Sequence, residues 1–248
     1  MQTRLKTASV LILALLVVIW LDWYLLNLAI FLLVLVIALV EAFKLYKIEN
    51  NDLIIVGVGL FVLAVILCNS FAGYYKFIVF TLLALSSWYA YTNSENSKGL
   101  QALLYPFAPL LIMWGIYDIL GIKYLIYLIV IVATMDSGAY FAGKLFGSKT
   151  FTTTSPNKTI EGVIGGFVFV FFIGGGWSAL FMGELNNSFL ITFWIALASL
   201  FGDLFESYLK RKADVKDSGE IFPGHGGMLD RLDSYLFAAV GFSLVMIW

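Results

Sequence analysis

Long runs of apolar residues, separated by short polar segments, make up most of this 248-residue chain. Crossing a hydrocarbon core of roughly 30 Å takes about 20 helical residues, and most of the runs approach or exceed that length. Because lipid cannot satisfy exposed backbone N–H and C=O groups, such runs must form helices. The pattern predicts an all-α polytopic integral membrane protein with about nine transmembrane helices. The predicted spans are residues 8–21, 24–43, 52–68, 73–91, 101–117, 121–145, 159–180, 188–211 and 231–248.

Composition agrees with this pattern. The chain has 61% hydrophobic residues, 12% charged residues and a mean hydropathy of +0.94, which excludes an ordinary soluble domain. No internal repeat and no Pro/Ser-rich linker divides it, so we expect a single membrane domain over residues 1–248. Residues 1–120 hold few polar groups and are expected to form a hydrophobic helical scaffold. Residues 121–248 are expected to supply the helices and loops that carry the chemistry.

The Lys and Arg residues are unevenly distributed between the two predicted membrane faces. If the amino terminus is cytoplasmic, all of the 15 except Lys76 and Lys123 fall on the cytoplasmic side, as the positive-inside rule requires. This orientation places the polar connections 144–158 and 212–230 together in the cytosol. We therefore expect a polar site at the cytosolic face, between the last helices.

Charge is concentrated near the end of the chain, where residues 207–233 contain ten charged side chains. A carboxylate within a membrane span costs on the order of 3 kcal/mol, so such residues usually line a cavity, meet a partner or bind an ion. The alternative is a structural ion pair of Asp203 or Glu206 with Lys210. Four polar residues of the eighth span fall within an arc of roughly 100° on one helix face: Asp203, Glu206, Ser207 and Lys210.

Two further carboxylates, Asp230 and Asp233, are spaced i, i+3 in the opening turn of the last predicted helix. One interpretation is simple complementarity with the helix macrodipole, which favours anions at this end. Together with Asp203, however, they would supply the hard oxygen ligands that suit Mg²⁺ holding the phosphates of a nucleotide. The remaining phosphate charge would be neutralised by Lys210, Arg211 and Lys216.

A glycine-rich segment, PGHGG at residues 223–227, lies between these charges. Its backbone permits tight turns and the close approach of a ligand. The segment contains the only histidine, His225, which is a candidate phosphate donor or acid/base group. The alternative for this residue is a structural hydrogen bond.

A second polar cluster lies on the same side of the membrane, in the sixth span and the connection after it. Gly162 and Gly166 follow this cluster at a small-xxx-small spacing, which favours close helix packing over ligand contact. The cluster places both signs of charge near the cytosolic face. Its members are Asp136, Lys144, Ser155, Lys158 and Glu161.

Three segments carry a resemblance to a known family. Residues 207–233 read SYLKRKADVKDSGEIFPGHGGMLDRLD, in which Lys-Arg is followed after four residues by Lys-Asp, and then by Pro-x-His-Gly-Gly-x-x-Asp-Arg-x-Asp. Upstream are DSGAYFAGKLFG at residues 136–147 and SPNKTIEGVIGG at residues 155–166. Together they resemble the CDP-diacylglycerol synthases (phosphatidate cytidylyltransferases), and the longest segment is similar to the family signature without a gap. Asn157, where many members carry Lys or Arg, departs from the pattern.

The resemblance implies an integral enzyme of the prokaryotic inner (plasma) membrane whose active site faces the cytosol. Such an enzyme transfers CMP from CTP to phosphatidic acid, forming CDP-diacylglycerol and pyrophosphate in phospholipid biosynthesis. The implied partners are CTP, phosphatidic acid, membrane lipid and a second copy of the chain in a homodimer, with no nucleic acid. The implied cofactor is Mg²⁺, as one or two cations held by Asp203, Asp230 and Asp233.

The resemblance also assigns residues. Phosphatidate already presents an anionic oxygen nucleophile, so the main task of the site is to bring two polyanions together and stabilise the displacement. The implied catalytic residues are Asp203, Lys216, Asp217, Asp230 and Asp233. The implied substrate-binding residues are Asp136, Lys144, Ser155, Lys158, Glu161, Ser207, Lys210, Arg211, His225, Gly226, Gly227 and Arg231.

Two other functions use similar groups. A CTP-dependent lipid kinase of the dolichol or phytol type would need the same metal and phosphate ligands but an alcohol acceptor, so the reaction product separates it from a cytidylyltransferase. An ion-coupled transporter would use Asp136, Asp203 and Glu206 as an intramembrane ion path. Against the transporter, the acidic residues crowd one predicted membrane face and no broken-helix repeat is visible.

Overall fold

The computed structural model describes residues 2–49, 52–93, 98–181, 185–222, 224 and 226–247. Over these ranges the chain forms ten α-helices and no β-strand, with only two isolated bridges, Thr150–Thr159 and Phe222–Gly226. The predicted all-α fold is therefore confirmed for the described residues. The helices are α1 (Gln2–Leu21), α2 (Tyr24–Tyr46), α3 (Asp52–Leu67), α4 (Phe71–Tyr91), α5 (Lys98–Ala102), α6 (Ala108–Leu120), α7 (Ile122–Phe146), α8 (Ile160–Phe181), α9 (Leu185–Lys212) and α10 (Leu229–Ile247).

Six of the described helical segments are long and apolar enough to cross a membrane, so the chain is an all-α membrane protein. The third predicted span corresponds instead to a shorter apolar helix, Asp52–Leu67. The 16 residues of α3 reach only about 24 Å, less than a typical hydrocarbon core. The total of nine spans stays a prediction. The six segments are Tyr24–Tyr46, Phe71–Tyr91, Lys98–Leu120, Ile122–Phe146, Ile160–Trp177 and Ser188–Lys212.

The fifth predicted span, residues 101–117, contains a break. A π-helical segment, Leu103–Phe107, separates α5 from α6. The cause is Pro106, which has no backbone N–H and disfavours the helical conformation in the residue before it. That residue, Tyr105, is extended, with φ −154° and ψ 119°. The apolar pattern runs through the break, which is why the sequence predicts one uninterrupted span.

The chain divides into two compact units, and the first comprises Met1–Ile122 with Ala213–Leu232. Its core includes Trp114, which is fully buried and meets the rings of Tyr24 and Phe31 edge-on, each at a centroid distance of 5.3 Å. Edge-to-face contacts of this kind add to the stabilisation from burial. The first unit thus combines the amino-terminal helices with the glycine-rich segment of the sequence signature.

The second unit comprises Lys123–Lys212 with Asp233–Trp248. Its helices approach closely through glycines. A Cβ added at Gly166 would lie 2.9 Å from the carbonyl oxygen of Met135, and one added at Gly162 would lie 2.8 Å from another carbonyl oxygen of α7. Only glycine permits so short a distance between α7 and α8. The predicted packing role of Gly162 and Gly166 is therefore confirmed.

Candidate active site

A cavity of about 560 Å³ lies in the second unit, between α7, the connection after it, α8 and α9. This volume is within the usual range of ligand pockets. Four of the five members of the polar cluster of the sixth span line this cavity, and so does a carboxylate of the eighth span, although the sequence leaves them as separate groups. The predicted site residues that line it are Asp136, Lys144, Ser155, Lys158 and Asp203.

An ion pair between Lys158 and Asp203 lies in this cavity, and both side chains are partly exposed. The backbone around Lys158 is fixed on both sides. Its N–H donates to the Ser155 carbonyl at 3.1 Å, and its carbonyl accepts from the Phe151 N–H at 2.7 Å. Asp203 also accepts a hydrogen bond at 3.3 Å from the Oγ of Ser207, one turn further along α9. A loop and a helix thus present opposite charges to one cavity.

A second ion pair lies on α9 itself. Lys210 Nζ is 3.4 Å from Glu206 Oε1, at i, i+4 spacing, and the Glu206 side chain is fully buried. A buried carboxylate requires such a partner, because its desolvation is costly. The predicted alternative of an ion pair is confirmed for Glu206 with Lys210, whereas Asp203 pairs with Lys158 instead. A contact of Lys210 with substrate stays a prediction.

Asp233 on α10 lies beside Asp203. This approach depends on Gly202, because a Cβ there would overlap the carbonyl oxygen of Asp233. The negative charges of Asp203 and Asp136 both act on the Asp233 carboxylate, and so does the positive charge of Lys210. Three carboxylates are therefore gathered in one part of the second unit. Their mutual repulsion is of the kind that a bound divalent cation offsets.

In the first unit, Asp230 organises the signature loop, which we define as residues 213–228. Its Oδ2 accepts hydrogen bonds from Ser218 N at 2.8 Å, from Ser218 Oγ at 2.9 Å and from Gly227 N at 2.8 Å. Gly226 has φ 81°, a left-handed conformation that favours glycine, and a Cβ there would lie 2.6 Å from Asp230 Oδ2. Gly226 and Gly227 thus lie close against the Asp230 carboxylate.

Comparison with known proteins supports the resemblance seen in the sequence. The model of the cytidylyltransferase family matches residues 2–248. The chain belongs to this family. It is 45% identical over 168 residues to the phosphatidate cytidylyltransferase of Helicobacter pylori strain J99. The aligned region covers 66% of this chain and 62% of that protein. It is 45% identical over 123 residues to the phosphatidate cytidylyltransferase of Bacillus subtilis strain 168, covering 48% and 46% respectively. The chain thus spans less than two thirds of the length of these curated relatives.

The predicted site residues of this cytidylyltransferase-family chain divide between the two units. His225 lies outside the described residues. The second unit holds Asp136, Lys144, Ser155, Lys158, Glu161, Asp203, Ser207, Lys210, Arg211 and Asp233. The first unit holds Lys216, Asp217, Gly226, Gly227, Asp230 and Arg231. The side chains of Arg211, Lys216, Asp217 and Arg231 are exposed.

Glu161 is predicted to bind substrate, and the structure places it in the first turn of α8, directly after the loop that precedes this helix. Its carboxylate accepts hydrogen bonds from the Ser148 hydroxyl, from the Ser148 N–H at 3.1 Å and from the Lys149 N–H at 3.3 Å. These bonds tie the beginning of the loop to the first turn of α8. A contact of Glu161 with substrate stays a prediction.

The sequence interpretation missed Glu41. This residue lies on α2, in the predicted scaffold, and its side chain is only 2% exposed. Its carboxylate contacts the signature loop and the start of α10. The available signal was a carboxylate within an apolar span, which by itself suggests a functional position. The sequence gives no indication of which segment supplies its hydrogen-bond donors.

The donor chemistry of the second unit fits Mg²⁺. Asp203 and Asp233 offer the hard oxygen ligands that this ion prefers, and Lys158 already supplies positive charge to Asp203. Among the residues that the structure describes, no group of three or more His, Cys, Asp or Glu side chains is arranged to hold a metal ion. Because Oδ2 of Asp230 already accepts three hydrogen bonds, its role as a metal ligand stays a prediction.

Proposed function

We propose that this protein transfers the CMP group of CTP to phosphatidic acid and so forms CDP-diacylglycerol and pyrophosphate for phospholipid biosynthesis. The observation that carries the proposal is the cavity of the second unit, which the Lys158–Asp203 pair lines together with one further carboxylate, Asp136, and one further lysine, Lys144. A site for a nucleoside triphosphate and a phosphate monoester needs this mixture of cations and metal ligands. The activity for which the relatives are named supports the same reaction.

The proposed reaction does not need a strong general base, because phosphatidate already presents an anionic oxygen. An oxygen of the phosphatidate phosphate attacks the α-phosphorus of CTP, the bond from that phosphorus to the bridging β-phosphate oxygen breaks, and pyrophosphate leaves with the electron pair. The protein must hold two polyanions in line and offset their charge. We assign this role to Lys158 and Lys144 in the cavity, with Ser155 as a hydrogen-bonding partner for a phosphate oxygen.

Asp203 and Asp233 would hold Mg²⁺, with Asp136 near both. When bound, Mg²⁺ supplies positive charge to the phosphate oxygens of CTP and stabilises the leaving pyrophosphate. The chain's own contribution is to keep these carboxylates adjacent, through the close packing at Gly202, and to keep Lys158 beside Asp203. Lys216, in the signature loop of the first unit, stays a predicted cation for the leaving group.

The α-phosphate label decides between the proposed reaction and a kinase. With CTP labelled at the α-phosphate, Mg²⁺ and phosphatidic acid, we expect purified protein to place the label in lipid. Label at the γ-phosphate should appear only in pyrophosphate. A lipid kinase would move the γ label onto a lipid alcohol, and a transporter would move neither label. Appearance of γ label in lipid would overturn the proposed function.

We further propose that the active site faces the cytosol of a prokaryotic inner membrane and that the chain forms a homodimer. The uneven distribution of Lys and Arg supports the orientation. Cysteines at Asn157 and Val215, in a Cys68→Ala background, should react with an impermeant maleimide only from the cytosolic side. A cysteine at Asn186 should react only from outside. Opposite labelling at any one of these positions would contradict the topology. Light scattering of the purified protein checks the dimer.

A further inference from the structure

Glu41 is a buried carboxylate on a helix that otherwise reads as lipid-facing scaffold. It lies near the end of α2, within a candidate membrane span, and only 2% of its side chain is exposed. An ionised carboxylate removed from water is strongly unfavourable unless hydrogen-bond donors surround it. The chain therefore has to supply those donors at this position.

The donors come from the signature loop and α10. Oε1 accepts a hydrogen bond from Met228 N at 2.9 Å, and Oε2 accepts from Leu229 N at 2.8 Å and from Ser218 Oγ at 3.1 Å. The first N–H groups of a helix have no partner within it, and the helix dipole favours an anion there. Glu41 thus caps α10 from a distant part of the sequence, with charge-assisted bonds.

Ser218 links this carboxylate to a second one. Its Oγ lies 3.1 Å from Glu41 Oε2 and 2.9 Å from Asp230 Oδ2, and Asp230 in turn accepts the N–H groups of Ser218 and Gly227. Two carboxylates therefore join Ser218, within the signature loop, to the end of that loop at Gly227 and Met228. Lys216 and Asp217, both predicted to be catalytic, directly precede Ser218.

Two glycines leave the space that Glu41 occupies. A Cβ at Gly227 would lie 2.6 Å from both carboxylate oxygens of Glu41, and a Cβ at Gly219 would overlap Oε1. Neither position tolerates a side chain while Glu41 stays in place. The glycines of this loop are thus fitted to a carboxylate of α2.

We propose that Glu41 is a positioning residue for the reaction: it holds the signature loop in the conformation that places Lys216 and Asp217. This proposal rests on the proposed function, because it concerns the same reaction. A merely structural role would predict that loss of Glu41 lowers the folded fraction and leaves the turnover of the folded molecules unchanged. A positioning role predicts slower turnover by molecules that are still folded.

The test is Glu41→Gln, with Glu49→Gln as the matched control on an exposed acid just after the same helix. The amide keeps the shape but replaces one acceptor oxygen by a donor, so at least one N–H of the loop loses its partner. We expect kcat per folded molecule to fall roughly 10–100-fold, the usual effect of removing a supporting residue. The N–H without a partner costs roughly 1–3 kcal/mol, so the melting temperature should fall, while the KM for phosphatidic acid should stay close to that of the parent. Glu49→Gln should match the parent in all three.

Hydrogen exchange provides a readout that needs no activity. In Glu41→Gln the amides of residues 216–222 and 224–229 should exchange roughly tenfold faster or more, because Met228 N and Leu229 N lose the charged acceptor that anchors this segment. Amides of the loop 148–159 should be unchanged. Gly219→Ala should reproduce both effects, whereas Gly59→Ala, where a Cβ meets no atom within 4 Å, should show neither.

The outcomes separate the two proposals. If the parent protein places no α label in lipid, the proposed function fails, while the exchange data still report whether Glu41 orders the loop. If the parent is active and Glu41→Gln turns over normally, or loses activity only in proportion to its folded fraction, the positioning role is refuted. Unchanged exchange at residues 216–222 and 224–229 would refute it as well.

Discussion

Asp203→Asn is expected to reduce the rate of CDP-diacylglycerol formation by roughly 10²–10³-fold, the usual cost of removing one electrostatic group from a transition-state site. Asn keeps the size of the side chain and its hydrogen bond with Ser207, but it removes the charge that pairs with Lys158 and that, in the proposed function, helps to hold Mg²⁺. The loss should therefore appear in kcat, and the requirement for Mg²⁺ should shift to higher concentration. Steady-state kinetics with α-labelled CTP measures both.

Asp214→Asn is the matched control for this experiment. Asp214 is exposed and lies three residues from the end of the signature's Lys-Arg pair, outside every role assigned above. Its φ of 61° is one that Asn also adopts readily, so the backbone should not change. We expect parental rates for this variant. A rate within a few fold of the parent in Asp203→Asn would remove Asp203 from the site.

The helical architecture can be predicted because it depends on local pattern. An apolar run has to form its own backbone hydrogen bonds in lipid, wherever its neighbours lie. The number of membrane spans depends less on local pattern alone. α3 is a helix, as predicted, but its length is marginal for a bilayer. The break at Tyr105 also follows from a local cause, Pro106, which hydropathy alone does not register.

The residues of the candidate site are predictable as types, but their pairs are predictable only where both partners lie on one helix. Glu206 and Lys210 are joined at i, i+4, the spacing at which helical side chains meet. The partner of Asp203 comes from outside the helix, since Lys158 reaches it from the loop before α8. That choice depends on how closely α7, α8 and α9 pack, and the sequence shows only that small residues permit it.

Asp230 and Asp233 show most clearly what the sequence alone does not predict. Their spacing makes them equivalent in the sequence, as two acids at a helix start. In the structure, Asp230 accepts three hydrogen bonds from the signature loop, whereas Asp233 lies near the carboxylates of Asp203 and Asp136. Glu41 meets the same loop across a separation of 187 positions from Met228, which no local pattern records. Differences in environment, and not in residue type, decide their roles.

Gly202→Ala is expected to impair both the activity and the stability of the protein. The added Cβ would overlap the carbonyl oxygen of Asp233 and lie 3.0 Å from the Cβ of Phe237, so α9 and α10 must move apart at this point. Overpacking of this kind costs roughly 1–3 kcal/mol. It would also displace Asp233 from Asp203, and a shift near 1 Å can lower a rate about 10²-fold.

Gly176→Ala in α8, where a Cβ meets no atom within 4 Å, is the control and should retain the parental rate and melting temperature. Normal turnover by Gly202→Ala, measured per folded molecule, would show that the adjacency of Asp203 and Asp233 is not required for the reaction.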